Sequence, residues 1–586
     1  MAGVRFLATW AVLGIVPFTL MACGPASDAR SARQRARAAA ANPFPSRDSL
    51  TKLAGEPLKP IPVQPVASAP AWNVVIDTSD AASPAEARFA EIASKADAKL
   101  TYTKELRCVA RELARFQAEH GALPNERLKR FMVGACGVTD PGVGALTQLV
   151  TLPSDGSDDQ ALAEWQRVAS VPPELKSNAV GVWMARNNTR VSIVVAFAPS
   201  GHNMEVSPVD ASGAFTVQGT VPPGTEYAIG LVNQQQGVAN CEADATTPAP
   251  LFAFHCKMHP ADQTAWVAVA TRAEGRLLMR SRGLGLARRD ASAPLSFVAS
   301  TRTPRPVTSP QDLQSAVLDG INQARVAAKL NRVSLASTQT ATNERLAPHF
   351  FVAYQKNDVQ TTELVGLGLL AGWDVDGTIK RGNLFTAMLT GTTDANDWLD
   401  YALEAPMGRL TMLAADARQI AIGVPAPGSV GGLGAIVTSY DMFTSNDHRG
   451  DAAVVFSQIQ NARAKRGLPP PTRIEGIPAL TAYAQLVNEG KRDAEEALDG
   501  AMVAVRDHAQ RSVRGWVVSS NQLEAVPLPP ELLAPGPLEI AVEVTHHKDE
   551  GAAWGSYVVF LVTTSISAPT STPTIQATSL RTTKTF

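Results

Sequence analysis

Ile321-Asn322-Gln323-Ala324-Arg325 and Ile459-Gln460-Asn461-Ala462-Arg463 are near copies of each other, and the second runs on into Ala464-Lys465-Arg466-Gly467-Leu468-Pro469. Both lie in stretches with the amphipathic spacing of a helix. Each is followed, after more helical sequence, by a pair of strand-like runs. In the first copy these are Ile420-Ala421-Ile422-Gly423-Val424 and Ala435-Ile436-Val437-Thr438-Ser439-Tyr440, with a Pro/Gly turn between them. In the second they are residues 538–544 and 555–562. Self-similarity of this kind marks a repeated module, and it sets two modules at 311–446 and 451–564.

Upstream, residues 81–199 read as a helical and hairpin module, a possible third copy. Ser83-Pro84 followed by Glu86 is a helix start. Leu106, Val109, Leu113 and Phe116 recur at helical spacing, and Gly121 closes that helix. Val180-Gly181-Val182-Trp183 and residues 191–197 flank the turn signal Arg186-Asn187-Asn188-Thr189, which predicts a hairpin. Residues 200–285 are short strands broken by Gly, Pro and Asn clusters, including 227–232, 251–256 and 264–270. They predict a small all-β sandwich. Residues 286–310 read as an Arg/Ser/Thr/Pro linker, 23–80 as a disordered tether and 565–586 as a disordered tail. The expected class is α/β multi-domain, with about three to five domains at roughly 100–200 residues each.

The first 22 residues have the pattern of an export signal. Arg5 supplies a basic start, residues 6–21 are almost wholly apolar, and the run ends in Leu20-Met21-Ala22-Cys23. It is shorter than the roughly 20 apolar residues of a membrane span and fits a signal peptide. The ending resembles the bacterial lipobox. That resemblance implies removal of 1–22, lipidation (diacylglycerol and palmitate-type chains) of Cys23, and a membrane anchor in the cell envelope. Gly24, where an Asp would favour inner-membrane retention, points to the outer membrane. Cys108, Cys136, Cys241 and Cys256 remain; an even number in an exported chain favours disulfides. Three pairings are possible, and proximity favours Cys108–Cys136 and Cys241–Cys256. A net charge of −1 gives no reason to expect nucleic acid as a partner.

The order of these motifs resembles the CAP superfamily, also called SCP domains (cysteine-rich secretory proteins, antigen five, pathogenesis-related proteins). Its members open on a helix reading roughly Asn-x-x-Arg-x-x-x-Gly-Leu-x-Pro and close on Ile-Gly-Val-Gly and Val-x-x-Phe strands. Ala371-Gly372-Trp373 stands where the family has Ala-Gly-Tyr, and Arg381-Gly382-Asn383-Leu384 where it has Gly-Glu-Asn-Ile. Trp398 with Ala405-Pro406-Met407-Gly408-Arg409 stands where it has Trp-x-x-Ser-Pro-Gly-His-Arg. The resemblance implies tandem α/β/α sandwich modules, and in metal-binding members a cleft holding two His and acids. Here Gly382 replaces the Glu, Gly408 replaces the second His, and residues 357–361 read Asn-Asp-Val-Gln-Thr where the first belongs. The fold carries over and the metal site does not.

Other candidates are weak. His546-His547 and His255-Cys256 are adjacent on strands and face opposite ways. His349 lies inside a helix and reads as a packing or surface residue. Asp374-Val375-Asp376-Gly377 lacks the further acids of a calcium loop. Catalytic motifs such as Gly-x-Ser-x-Gly and His-Glu-x-x-His are missing. The expectation is a non-catalytic envelope lipoprotein with no cofactor, binding a protein, lipid or glycan partner. A metal-dependent hydrolase with a relocated site and a purely structural spacer are the alternatives, and the oligomeric state stays open.

Overall fold

The computed structural model describes residues 44–58, 73–79 and 82–564 with short interruptions at 154, 173–174, 176–177, 200–203, 275, 277, 291–293, 301, 427–431 and 444–447. It also describes the short strands Thr9–Trp10, Ser68–Ala69 and Ile575–Ala577. Cys23 and most of the expected signal peptide, tether and tail therefore lie outside the described residues. The chain divides into two compact units. One is built mainly of Pro45–Leu370 and Asn383–Ser439, the other of Ala371–Gly382 and Tyr440–Phe586.

In the first unit, helix α1 (Pro84–Lys95) leads into strand β1 (Thr101–Tyr102), helices α2 (Lys104–His120) and α3 (Glu126–Ala135), and β2 (Gly144–Thr151). Helix α4 (Asp158–Val168) then precedes the hairpin β3 (Ala179–Asn187) and β4 (Arg190–Ala198). Local chemistry explains these boundaries. Ser83 caps α1 ahead of Pro84, and Gly121 ends α2 at φ 76°, a conformation open to glycine at little cost. Asn188 turns the hairpin at φ 53°. The sheet order is β1-β3-β4-β2, with β1 parallel to β3. Because side chains alternate across a strand, Val182, Val191, Ile193 and Val195 pack with Phe89, Leu162 and Trp165 of α1 and α4. Val194, Ala196 and Ala198 pack with Leu106, Leu113 and Met132 of α2 and α3. Helix α2 lies so close to β3 that a Cβ on Gly181 would stand 2.0 Å from the Leu106 carbonyl carbon.

Two antiparallel sheets follow. One contains β7 (Thr225–Gln234), β8 (Gly237–Asn240), β11 (Thr264–Ala273) and β12 (Met279–Arg288) in the order β12-β11-β7-β8, with Thr9–Trp10 beside β12. The other contains β5 (Met204–Val206), β6 (Ala214–Thr220), β9 (Glu242–Ala243) and β10 (Leu251–Lys257) in the order β9-β10-β6-β5. Val217, Phe254 and Cys256 of one sheet meet Val232, Val267 and Val269 of the other in a single core, as in a β-sandwich.

The next body begins with α5 (Pro310–Ala327), capped by Ser309 and Asp312 in a reciprocal box. Then come β13 (Ser334–Leu335), α6 (Ser337–Gln355), α7 (Val359–Ala371), β14 (Ile379–Thr390), α8 (Ala395–Glu404), α9 (Pro406–Met412), β15 (Ala417–Gly423) and β16 (Gly432–Met442). Its sheet order is β13-β15-β16-β14, with β13 parallel to β15.

The second unit contains α10 (Arg449–Ala464), β17 (Thr472–Arg473), α11 (Pro478–Asn488), α12 (Ala494–Ala509), β18 (Val513–Ser520), β19 (Glu539–His547) and β20 (Ser556–Thr564). Its order is β17-β19-β20-β18, with β17 parallel to β19. Ile459 of α10 and Trp516, Val542 and Val559 share one face of this sheet. Leu480, Leu498 and Met502 of α11 and α12 share the other with Ala541 and Phe560. Among the described residues one topology thus occurs three times: helix, short parallel strand, two helices, strand, a helical crossover (3₁₀ turns at 523–533 in the last copy), and a closing hairpin.

The repeat explains its own arginine. Arg325 is fully buried and donates to the carbonyls of Asn331 (2.6 Å), Met412 (3.0 Å), Ala414 (2.9 Å) and Ala417 (3.3 Å). Arg463 donates to those of Pro469 (2.8 Å), Leu532 (2.7 Å), Ala534 (3.2 Å) and Gly536 (2.5 Å). Each guanidinium ties the end of the opening helix to the approach of the third strand. The upstream copy at 81–199 closes its opening helix with the same bond, Ala98 N–H to Ala93 O, as Leu330 does to Arg325 and Leu468 to Arg463. It has Ala93 where the others have arginine.

Three expectations need correction. The stretch 23–80, read as disordered, contains the helix Arg47–Ala54, whose Leu50 is buried beside Gly368. It also contains the strand Val74–Ile76, which pairs with Leu295–Phe297 inside the expected linker 286–310. The expected tail contains Ile575–Ala577, which pairs with Val513–Gly515 of β18. In each case the segment is too short for periodicity to show.

Candidate functional site

Aromatic side chains from distant elements of the first unit line a partly open cavity of about 90 Å³. Phe350 and Tyr354 lie one turn apart on α6 and so share a face; with Phe351 they supply one wall. Phe385 and Ala387 alternate inward from β14, and Tyr401 and Met407 come from α8 and α9. Trp266 of β11 closes it over α3, where a Cβ on Gly134 would stand 2.7 Å from the indole ring. That glycine is what lets helix and ring meet.

The polar lining comes mainly from α3. Glu126 accepts from the Thr390 hydroxyl at 3.0 Å, and the Lys129 ammonium stands 3.8 Å from it. Arg130 donates to the Tyr401 carbonyl at 2.6 Å and lies over the Tyr401 ring. Burial raises the pKa of the Tyr401 hydroxyl, and Arg130 offsets part of that rise. Nearby, Arg127 donates to Glu404 at 2.6 Å, and Arg302 stands 3.1 Å from Asp400. Burial raises Glu404 while Arg127 and Arg130 oppose it. No His or Cys is among the described residues of the lining. The arrangement is suited to holding an apolar group beside bonded charges.

Gly408 lies on α9, where a Cβ would stand 2.1 Å from the Ala402 carbonyl oxygen. That position has no room for a side chain. Cys108 is bonded to Cys136 and Cys241 to Cys256, the pairings that proximity favours. His349 is buried in α6, and burial lowers its pKa. On β10, His255 is exposed and Cys256 buried. On β19, His546 is buried and His547 half-buried, 3.7 Å from Asp549.

His546 has a partner that the sequence did not reveal. The His448 Nε2 is 2.9 Å from His546 Nδ1, and the other His448 nitrogen is 2.6 Å from Asp451. Asn488 donates to the His546 carbonyl at 3.0 Å, and Phe443 stacks on the His546 ring with centroids 4.3 Å apart. The imidazole nitrogens are directed at each other. Among the described residues no group of three or more His, Cys, Asp or Glu is placed to hold a metal ion, and no helix is long and apolar enough to cross a membrane.

No protein family and no curated protein match this chain. Among solved structures, it is similar to a cysteine-rich secretory protein from Staphylococcus aureus subsp. aureus Mu50 at 9% identity and a TM-score of 0.16. That match covers 41% of this chain and 84% of the other.

Proposed function

We propose that this chain is a non-catalytic lipoprotein of the bacterial cell envelope, anchored through Cys23, whose tandem CAP-like modules bind a partner by an apolar group. The observation that carries the binding reading is the ring-walled cavity of the first unit. A pocket lined by rings with a few placed polar groups is the usual form of a small-ligand site. At about 90 Å³ it is smaller than the roughly 150 Å³ of an engineered cavity that takes benzene. It therefore suits the tip of an acyl chain or one apolar side chain of a partner, not a whole lipid. The Glu126, Lys129 and Arg130 groups beside it would orient the polar end of such a ligand.

The test is calorimetric titration of the full chain with short-chain fatty acids and with apolar dipeptides. Ala268→Phe, which places a ring in the cavity, should abolish binding at a cost of about 1–3 kcal/mol in stability. Binding that survives this filling removes the cavity from the reading. Loss of membrane association on Cys23→Ser, seen by fractionation, tests the anchor separately.

A further inference from the structure

His448 and His546 are 98 residues apart in sequence and meet inside the second unit. His448 precedes α10, and His546 lies near the end of β19. Asp451 holds one His448 nitrogen, so the other faces His546 across a gap that admits one proton. Both rings are buried, and Phe443 and Tyr557 wall them in.

The charged surroundings are close to balanced. Asp451 faces the pair from α10. Tyr557 faces it from β20 and is bonded to Lys380. Lys380 and Arg381 are each 3.7 Å from Asp441. His547 follows on the same strand with Asp549, and α11 contributes the uncharged Asn488. Nothing in this set would neutralise a second positive imidazole.

We propose that the Asp451–His448–His546 chain is a proton-operated latch, closed while the two rings share one proton and opened when a second proton frees the start of α10 from β19. Burial first, then His448 and His547, hold His546 down at about 4, against the opposing pull of Asp451. A folded value below the ordinary 6.5 means that unfolded chains take up more protons. The latch is therefore at full strength above pH 6.5 and weakens as pH falls toward about 4, by up to roughly 300-fold in its closing constant.

The experiment is hydrogen exchange on the full chain at pH 7 and pH 4.5, corrected for intrinsic rates. Amides of 449–455 and 544–547 should lose at least 10-fold more protection than the middle of β20. His546→Gln should remove that difference, and Asp451→Asn should move the opening to higher pH. Imidazole nitrogen shifts followed by NMR on the unaltered protein give a second measurement, which does not depend on the variants folding. They should show the His546 ring titrating well below 6.5. A His546 ring titrating near 6.5, or the same local loss of protection in His546→Gln, would overturn the latch.

Discussion

Replacing Arg463 by alanine removes a guanidinium that is 1% exposed and serves four main-chain carbonyls. A hydrogen bond from a charged donor contributes about 1.5–3 kcal/mol net. The four are not additive, because they share one cation and water can reach some of the freed carbonyls. Allowing for that and for the lost packing of the side-chain stem, the expected cost is about 4–6 kcal/mol. Whole domains are stable by about 5–15 kcal/mol, so the second unit would be left close to unfolding. Arg463→Lys keeps the charge and can reach fewer of the carbonyls; about 2–3 kcal/mol is expected for it. Arg463→Met keeps the apolar stem and should fall near alanine, which separates bonding from packing. Urea titration of the full chain, read by hydrogen exchange at 558–562 in the core of that unit, gives the three values. A loss below about 1 kcal/mol for alanine would refute the assignment of the guanidinium as a structural tie. The same substitution at Arg325 should cost a similar amount in the first unit.

Gly181→Ala should cost at least the ~1–3 kcal/mol typical of overpacking, since its Cβ would meet the α2 backbone and not a side chain able to move; a thermal melt reads it. Reducing the Cys241–Cys256 bridge, which spans 15 residues, should lower stability by about 3 kcal/mol on the loop-closure estimate, measured by denaturation with and without reductant. Glu404 has a raised folded pKa, caused first by burial. Its contribution should therefore grow as pH falls toward the ordinary carboxylate range, opposite to an acid held low by its partners. Comparing the pH dependence of the denaturation midpoint in the unaltered chain and in Glu404→Gln between pH 7 and 4.5 checks the sign: the variant should lose that rise.

Local signals were legible because they are carried by adjacent residues. Ser83-Pro84, Gly121 and Asn188 set the ends of α1, α2 and the first hairpin as their chemistry requires. The arginines of the two repeated segments pointed to equivalent positions, which the matching carbonyl sets around Arg325 and Arg463 explain. The cavity was not legible. Phe350 and Tyr354, Phe385, and Trp266 come from three distant elements, α6, β14 and β11, and only their packing leaves a space among them. His448 was passed over for a similar reason: no spacing rule links residues 98 apart. The helix Arg47–Ala54 buries one leucine, and one apolar residue makes no period.

The close approach at Gly408 limits what could be engineered here. Only Ala405 separates α8 from α9, and the Ala402 carbonyl oxygen occupies the place a side chain would need. Grafting an imidazole at that position is a backbone redesign, because the corner must be lengthened before any ligand fits. Directed evolution by point substitution should therefore fail to install metal chemistry at this corner, while libraries that insert residues between 404 and 406 have a route to it.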